Sequence, residues 1–201
     1  MILEGVVTSQ NALGELNVAP MGPSVEPDMQ RFVLRPFQTS TTYRNLKQHP
    51  FGVLHVVDDV LLLARAAIGQ LIETPATFPA LRVPGRVLVD ACRWFEFRVE
   101  SIDDSEQRTQ IEAVVEHSGR LRDSFGFNRA KHAVIEAAIL ATRIHLLPPN
   151  EITKQFEKLQ SPVEKTAGPD ELTAFSLLGE FVRTQLAQKQ QPVETAAEGG
   201  A

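Results

Sequence analysis

The sequence is short of several features that would identify a protein class at once. It has a single cysteine, Cys92, which excludes an intramolecular disulfide framework and a cysteine-based zinc ribbon. Its longest apolar stretches are 60–68, interrupted by Arg65, and 133–141, interrupted by Glu136. Both are far shorter than the ~20 apolar residues that a membrane-spanning helix needs. We therefore expect no membrane partner.

Recognisable targeting and catalytic motifs are also missing. The first residues carry no basic segment and reach Glu4 early, so we expect no signal peptide and a cytoplasmic setting. The sequence contains no G-x-S-x-G, P-loop or G-x-G-x-x-G pattern, and the corresponding hydrolase, NTPase and Rossmann functions have no support. His132 and Glu136 stand four residues apart on a predicted helix, but a third ligand is not evident and we predict no metal site.

The charge distribution is uneven. With 20 Lys+Arg against 25 Asp+Glu the net charge is −5, which argues against a nucleic-acid partner. Residues 29–57, however, include no acidic residue and carry four basic ones: Arg31, Arg35, Arg44 and Lys47. The sequence therefore predicts a local positive site on an acidic protein.

The hydrophobic pattern predicts β structure first and helices later. Short apolar runs at 2–8 and 16–21 flank a loop with hairpin character, and 94–100 and 111–116 alternate as a second hairpin. After Gly126 the period becomes helical, with predicted helix starts at Asn128, Asn150 and Gly168. We predict a mainly β domain over 1–124, a C-terminal helical region over 125–189 and a disordered tail over 190–201.

The segment 35–46 is the strongest candidate site. Arg35 ends a predicted strand, four hydroxyl residues (Thr39, Ser40, Thr41 and Thr42) begin a helix, and Arg44 lies in its first turn. Free N–H groups at a helix start, hydroxyls and guanidinium groups are together suited to a phosphate. The alternative is that Ser40 or Thr41 only caps the helix while the arginines face solvent.

Two other polar features have alternative interpretations. His55 lies on an apolar strand, where a hydrogen-bonded core histidine is favoured over a general base. Asn128, Arg129 and Lys131 form a second basic helix start, which is either a solvated cap or a group that approaches a ligand's anion.

Several blocks occur in a characteristic order along the chain and together resemble one family. They are Glu4–Thr8, Asn17–Pro23, Arg35–Leu46, His55–Asp59, Trp94–Glu96, Asn128–Lys131 and Glu136–Ala138. The chain resembles the domain-of-unknown-function family 447 over about residues 1–147, with a plausible helical continuation to about 187.

The resemblance implies a fold and a cofactor. The fold is a split β-barrel of the flavin-reductase and pyridoxamine-phosphate-oxidase type, followed here by helices, which binds FMN without a covalent bond, usually at a homodimer interface. It assigns Arg35, Thr39–Thr42 and Arg44 to the FMN phosphate, and the segment with Asn17 and Met21 to the isoalloxazine ring. The lysine that follows the serine in the superfamily element is absent after Ser40, where Thr41 and Thr42 stand.

The implied function is that of a flavin-dependent oxidoreductase of unknown substrate, with a link to pterin-dependent one-carbon metabolism. The alternative is a non-catalytic flavin carrier or sensor, or a dimeric interaction module. No residue can be assigned a proton-transfer role from the sequence.

Overall fold

The computed structural model describes residues 1–190. The predicted tail, 190–201, lies outside the described residues except for Gln190, which is the last residue of a helix. Within them, none of the helices is long and apolar enough to cross a membrane.

Seven strands form one antiparallel sheet in the order β2-β1-β5-β8-β9-β4-β3. Their bounds are β1 Gly5–Gln10, β2 Leu16–Met21, β3 Ser24–Val25, β4 Arg31–Leu34, β5 Phe51–Val56, β8 Arg93–Asp103 and β9 Gln110–Arg120. The β1–β2 and β8–β9 hairpins confirm the two hairpins predicted from the sequence. The long hairpin has register shifts between Glu96 and Phe97 and between Val99 and Ser101, and such irregularities increase the bending of a strand.

The sheet curls until its far edge meets the start of the chain. Ile2 pairs with Ser24 in an isolated bridge, and the Leu3 N–H donates to the Pro23 carbonyl at 3.0 Å. Because residues 1–3 lead directly into β1, this contact brings the β3 edge back to the other side of the sheet. The enclosed core includes Phe32, Leu46 and Phe97, all nearly inaccessible to solvent.

Residues 1–190 also form five helices: α1 Thr41–Gln48, α2 Val60–Ala67, α3 Arg129–Thr142, α4 Pro149–Thr166 and α5 Pro169–Gln190. Helix α1 contributes Tyr43 and Leu46 to the barrel core. Helix α2 instead shares an apolar core with the C-terminal helices, in which its Leu63 and Ala64 join Ala137 of α3 and Leu178 of α5.

Helix α4 begins earlier than the sequence predicts. Its N-cap is Pro148 rather than Asn150, and the helix continues through Pro162 to Thr166. The buried Val163, which packs among α3 alanines, explains why packing outweighs the local preference of proline for a helix end.

A short hairpin lies between α2 and β8, where β6 Thr77–Pro79 pairs with β7 Arg86–Leu88. Glu96 is fully buried beneath it and accepts hydrogen bonds from the backbone N–H groups of Leu81, Arg82 and Val83 and from the Trp94 indole. Burial alone would raise the pKa of Glu96, but these donors outweigh it and lower the pKa. The carboxylate therefore determines the shape of this connection.

Candidate functional site

The N-terminus of α1 is built as the sequence predicts. Ser40 is the N-cap and its Oγ accepts from the Tyr43 N–H at 3.2 Å, while its carbonyl accepts from the Arg44 N–H at 3.3 Å. Within the described residues, the backbone N–H groups of Thr41 and Thr42 have no main-chain acceptor. The first turn thus has two donors free for a ligand.

Arg44 lies against this turn. Its Nη1 donates to the Thr39 carbonyl at 2.8 Å and its Nη2 donates to Thr41 Oγ1 at 3.1 Å. Arg44, Thr39 and Thr41 are exposed, and no carboxylate in residues 1–190 forms an ion pair with Arg44. An unpaired guanidinium, hydroxyls and free N–H groups therefore meet at one exposed point, which suits a phosphate.

Asn17 is joined to the same helix from strand β2. Its Nδ2 donates to Thr42 Oγ1 at 3.1 Å and to Ser9 Oγ at 3.3 Å. Asn45, one turn further along α1, also donates to Ser9 Oγ, at 3.2 Å. The sequence assigned no role to Ser9 or Asn45, which lie 36 residues apart and become neighbours only when α1 packs on the sheet.

Met21 lies at the other end of β2. It pairs with Gly5, and its half-buried side chain packs against the barrel core. It is four positions along the strand from Asn17, which corresponds to about 13 Å. Since β2 is the edge of the sheet order, its outer row of backbone groups has no neighbouring strand among residues 1–190. The backbone of Gly22 approaches the Glu4 carboxylate so closely that a Cβ there would lie 3.3 Å from Glu4 Oε1.

Arg35 stands apart from the helix start. No hydrogen bond joins it to the hydroxyl residues, and it lines an open surface groove of about 410 Å³ with Phe37, Arg108 and the loop between β8 and β9. The Arg108 guanidinium lies 5.7 Å from the Phe37 ring, and its Nε donates to the Arg35 carbonyl at 3.2 Å. The structure thus brings together Asn17 with Thr42, and Arg44 with Thr39 and Thr41, whereas Arg35 and Met21 have no hydrogen bond to either group.

The other two features of the sequence resolve into structural roles. His55 is fully buried, its Nδ1 lies 3.0 Å from the Val6 carbonyl and its Nε2 accepts from the Leu88 N–H at 3.1 Å. Burial lowers the pKa of His55 to about 4, so it is a neutral core histidine as predicted. At α3, Asn128 Oδ1 accepts from Lys131 N–H and Thr166 Oγ1 accepts from Ala130 N–H, which confirms a cap.

A charged network joins the barrel to the helices. Arg122 binds the Asp58 carboxylate with both of its terminal nitrogens, and Lys131 bridges the Asp58 carbonyl and the Glu171 carboxylate. The Arg122 hydrogen bonds lower the pKa of Asp58 to about 2. Among the described residues, no group of three or more His, Cys, Asp or Glu side chains is arranged to hold a metal ion.

Solved structures share this fold. A crystal structure of an FMN-bound protein from Methanosarcina mazei, assigned to the DUF447 family model, matches with a TM-score of 0.77 and 23% identity over 90% of this chain and 94% of that chain. Pseudomonas fluorescens 2-nitrobenzoate 2-nitroreductase matches with a TM-score of 0.50 and 20% identity, covering 58% of this chain and 64% of that chain. A Thermus thermophilus FMN-binding protein with bound p-hydroxybenzaldehyde matches with a TM-score of 0.50 and 11% identity, covering 59% of this chain and 71% of that chain.

Family models identify the chain directly. No curated protein matches the sequence. The model described as the N-terminal domain of the protein of unknown function DUF447 matches residues 3–122, and its C-terminal counterpart matches residues 128–180. The curled sheet with appended helices confirms the predicted split-barrel fold. The chain belongs to the DUF447 family.

Proposed function

We propose that this protein binds FMN without a covalent bond and acts as a flavin-dependent oxidoreductase. One observation carries the proposal. At the exposed N-terminus of α1, Arg44, which forms no ion pair within residues 1–190, lies beside hydroxyls and free N–H groups, inside a stretch of 29 residues without an acid. The FMN-bound protein from Methanosarcina mazei with the same overall fold supports the choice of ligand.

The residues at α1 fit the phosphate of FMN. A phosphate dianion needs several donors and no competing carboxylate, and Thr41, Thr42 and Arg44 supply N–H, hydroxyl and guanidinium donors. The cap leaves these donors free because Ser40 occupies only the N–H groups of Tyr43 and Arg44. The positive end of the helix dipole adds to the attraction.

Strand β2 fits the rest of the cofactor. As the sheet edge, it has unpaired backbone groups on the path from Asn17 to Met21. Pro20 provides a carbonyl without a competing N–H. We infer that the ring end of FMN lies toward Met21, about 13 Å from the phosphate end.

Bound FMN would supply hydride or electron transfer, while the protein binds and orients it. Arg44 and the α1 hydroxyls hold the phosphate, and β2 holds the ring. The proton for a reduced substrate is assigned to no side chain of this protein.

The site is tested by comparing FMN with riboflavin, which has no phosphate. We expect Arg44→Ala to weaken FMN about tenfold or more, because a charge-assisted hydrogen bond contributes about 1.5–3 kcal/mol. Riboflavin affinity should change little, and Arg44→Lys should restore part of the loss. Quenching of flavin fluorescence on binding gives both dissociation constants.

Arg35→Ala, alone and combined with Arg44→Ala, tests the predicted role of Arg35. If Arg35 also reaches the phosphate, the double variant should lose far more FMN than riboflavin affinity, beyond the loss of Arg44→Ala alone. Equal losses for FMN and riboflavin would contradict the phosphate site. A colourless purified protein that does not respond to added FMN would contradict the proposed function.

Turnover separates an oxidoreductase from a flavin carrier or sensor. Reduction of the bound flavin by NADH, NADPH or a reduced deazaflavin, followed by transfer to an acceptor, supports the enzyme. The link to pterin metabolism stays a prediction, and a dihydropterin offered as hydride acceptor tests it. The cytoplasmic setting also stays a prediction.

We also propose that the protein is a homodimer. Phe125 and Phe127 are 91% and 98% exposed on a loop that is held in place, since Asp58 accepts from the Phe125 N–H and binds Arg122. Large exposed aromatic side chains on a fixed loop are typical of interfaces. The molar mass in solution, measured by light scattering, should be twice the 22.2 kDa of the chain.

A further inference from the structure

Four polar side chains meet where β1, β2 and α1 come together. Three of them, Ser9, Thr42 and Asn45, are 2%, 2% and 4% exposed, whereas Asn17 is half-buried at the surface of the cluster. Buried polar groups at such a junction have to satisfy one another. The directions of their hydrogen bonds therefore determine what the cluster presents to solvent.

The directions leave the amide oxygen of Asn17 without a partner. Ser9 Oγ accepts from Asn45 Nδ2 at 3.2 Å and from Asn17 Nδ2 at 3.3 Å, and Asn17 Nδ2 also donates to Thr42 Oγ1 at 3.1 Å. Both hydrogens of the Asn17 amide are thus used inside the protein. In the described residues no side-chain oxygen or nitrogen is both buried and without a partner, so Asn17 Oδ1, which has no hydrogen bond, reaches solvent.

The position of Asn17 Oδ1 determines which part of a bound FMN it would contact. Thr42, which binds Asn17, is in the first turn of α1, where the phosphate is proposed to lie. The group next to the phosphate in FMN is the ribityl chain, whose hydroxyls are hydrogen-bond donors. The isoalloxazine ring lies further away, toward Met21 at the other end of β2.

We propose that Ser9 and Asn45 are positioning residues that fix Asn17 with its Oδ1 outward, where it accepts a hydrogen bond from a ribityl hydroxyl. This inference rests on the proposed function and moves Asn17 from the ring, where the family resemblance assigns it, to the ribityl chain. Ser9 and Asn45 act only through Asn17, because they lie buried behind it. Without the Ser9 hydroxyl, the Asn17 amide loses one of its two acceptors and can turn.

Three flavins separate the possible contacts. FMN carries phosphate and ribityl groups, riboflavin only the ribityl chain, and lumiflavin neither. Asn17→Ala should weaken FMN and riboflavin by the same factor, roughly two- to tenfold for a neutral hydrogen bond, and leave lumiflavin unchanged. Ser9→Ala should produce the same pattern with a smaller factor, and Ser9→Thr, which keeps the hydroxyl, should restore wild-type affinity.

The matched control is Thr8→Val. Thr8 is the neighbouring strand residue, equally buried, and its hydroxyl donates to the Arg86 carbonyl at 2.6 Å on the opposite face of the sheet. This variant should lose stability but keep all three affinities. Because a misfolded fraction lowers binding of every flavin equally, the ratio of riboflavin to lumiflavin affinity is the decisive quantity.

Each contrary outcome has a distinct meaning. If Asn17→Ala weakens only FMN, the amide is a phosphate donor and the inferred direction is wrong. If it weakens lumiflavin as much as riboflavin, the contact with the ribityl chain is refuted. If Ser9→Ala changes no ratio, Ser9 is not a positioning residue. A wild-type protein that binds none of the three flavins overturns the proposed function itself.

Discussion

Replacing Glu96 by glutamine should destabilise the protein strongly, although the two side chains have nearly the same shape. In the native protein Oε1 accepts from Leu81 N–H at 2.9 Å and Trp94 Nε1 at 3.1 Å, and Oε2 accepts from Arg82 N–H at 2.6 Å and Val83 N–H at 3.3 Å. An amide replaces one of these oxygens with NH₂. Whichever way it is oriented, two of the four donors then face another donor.

The magnitude follows from this count. Each buried donor left without an acceptor costs about 1–3 kcal/mol, which gives about 2–6 kcal/mol for two. Since the side chains of Leu81 and Arg82 are exposed, water reaches part of the loop and we expect the lower half of that range, about 2–4 kcal/mol. Trp94 is the only tryptophan and is hydrogen-bonded to Glu96, so its fluorescence during urea unfolding reports on this site directly.

The pH dependence provides a second measurement. The pKa of Glu96 in the folded protein is below its ordinary value of 4.5. A lowered carboxyl pKa contributes stability at pH values above 4.5, and this contribution is lost as the pH falls through the folded-state pKa. Glutamine does not titrate, so the difference between wild type and Glu96→Gln should be largest near neutral pH and decrease in acid.

The control is Glu116→Gln on the adjacent strand, where Glu116 pairs with Arg98 and both side chains are about 40% exposed. An exposed ion pair contributes about 0–1 kcal/mol, so this variant should unfold almost as the wild type does. If Glu96→Gln loses no more stability than Glu116→Gln, or if its deficit is independent of pH, the role assigned to the buried carboxylate is refuted.

Two further substitutions test the packing. Arg122→Met leaves the Asp58 carboxylate, which is 9% exposed, without its main partner. It should lower the free energy of unfolding, measured by chemical denaturation, by about 2–3 kcal/mol. This is less than the ~3–5 kcal/mol of a fully buried pair because Arg122 is 37% exposed. A loss under about 1 kcal/mol would contradict this role of Arg122. Gly119→Ala places a Cβ 2.0 Å from Trp94 Cη2, so the indole has to move. This overpacking should cost near the upper end of ~1–3 kcal/mol, lower the melting temperature and shift the Trp94 fluorescence emission. Gly179→Ala, whose Cβ would make only ordinary contacts from 3.4 Å in a helix, should be neutral or stabilising, and an equal effect of both changes would contradict the argument.

The sequence predicts correctly those parts of the fold that depend only on neighbouring residues. Alternation of side chains predicts the β8–β9 hairpin because Phe95 and Phe97 of β8 and Ile111 of β9 face the barrel core. It does not reveal that Trp94 and Glu96, on the other face of β8, are buried as well, beneath the β6–β7 hairpin. Ser40 and Asn128 are confirmed as helix caps because a cap depends on its own hydroxyl or amide and an N–H three residues later. Gly168-Pro169 likewise predicts the start of α5 correctly.

Features that depend on distant contacts were not predictable. Arg35 and Arg44 are close in sequence, but Phe37 forms an isolated bridge with Arg108 in the loop between β8 and β9. Arg35 therefore lines the surface groove beside Phe37 and Arg108 and not the start of α1. Nothing near Ser9 indicates Asn45 as its partner. The continuation of α4 through Pro162 depends on the burial of Val163 against α3, which the local sequence cannot reveal.

The placement of α2 has a consequence for how this family can evolve. Residues 60–67 fall inside the N-terminal family model at 3–122, yet their apolar face is part of the core built by the C-terminal helices. A chimera that joined the barrel of one family member to the helices of another at the loop 123–127 would combine an α2 from one lineage with α3 and α5 from the other. Its Leu63 and Ala64 would meet foreign partners, so viable exchange requires α2 to be inherited together with the C-terminal helices.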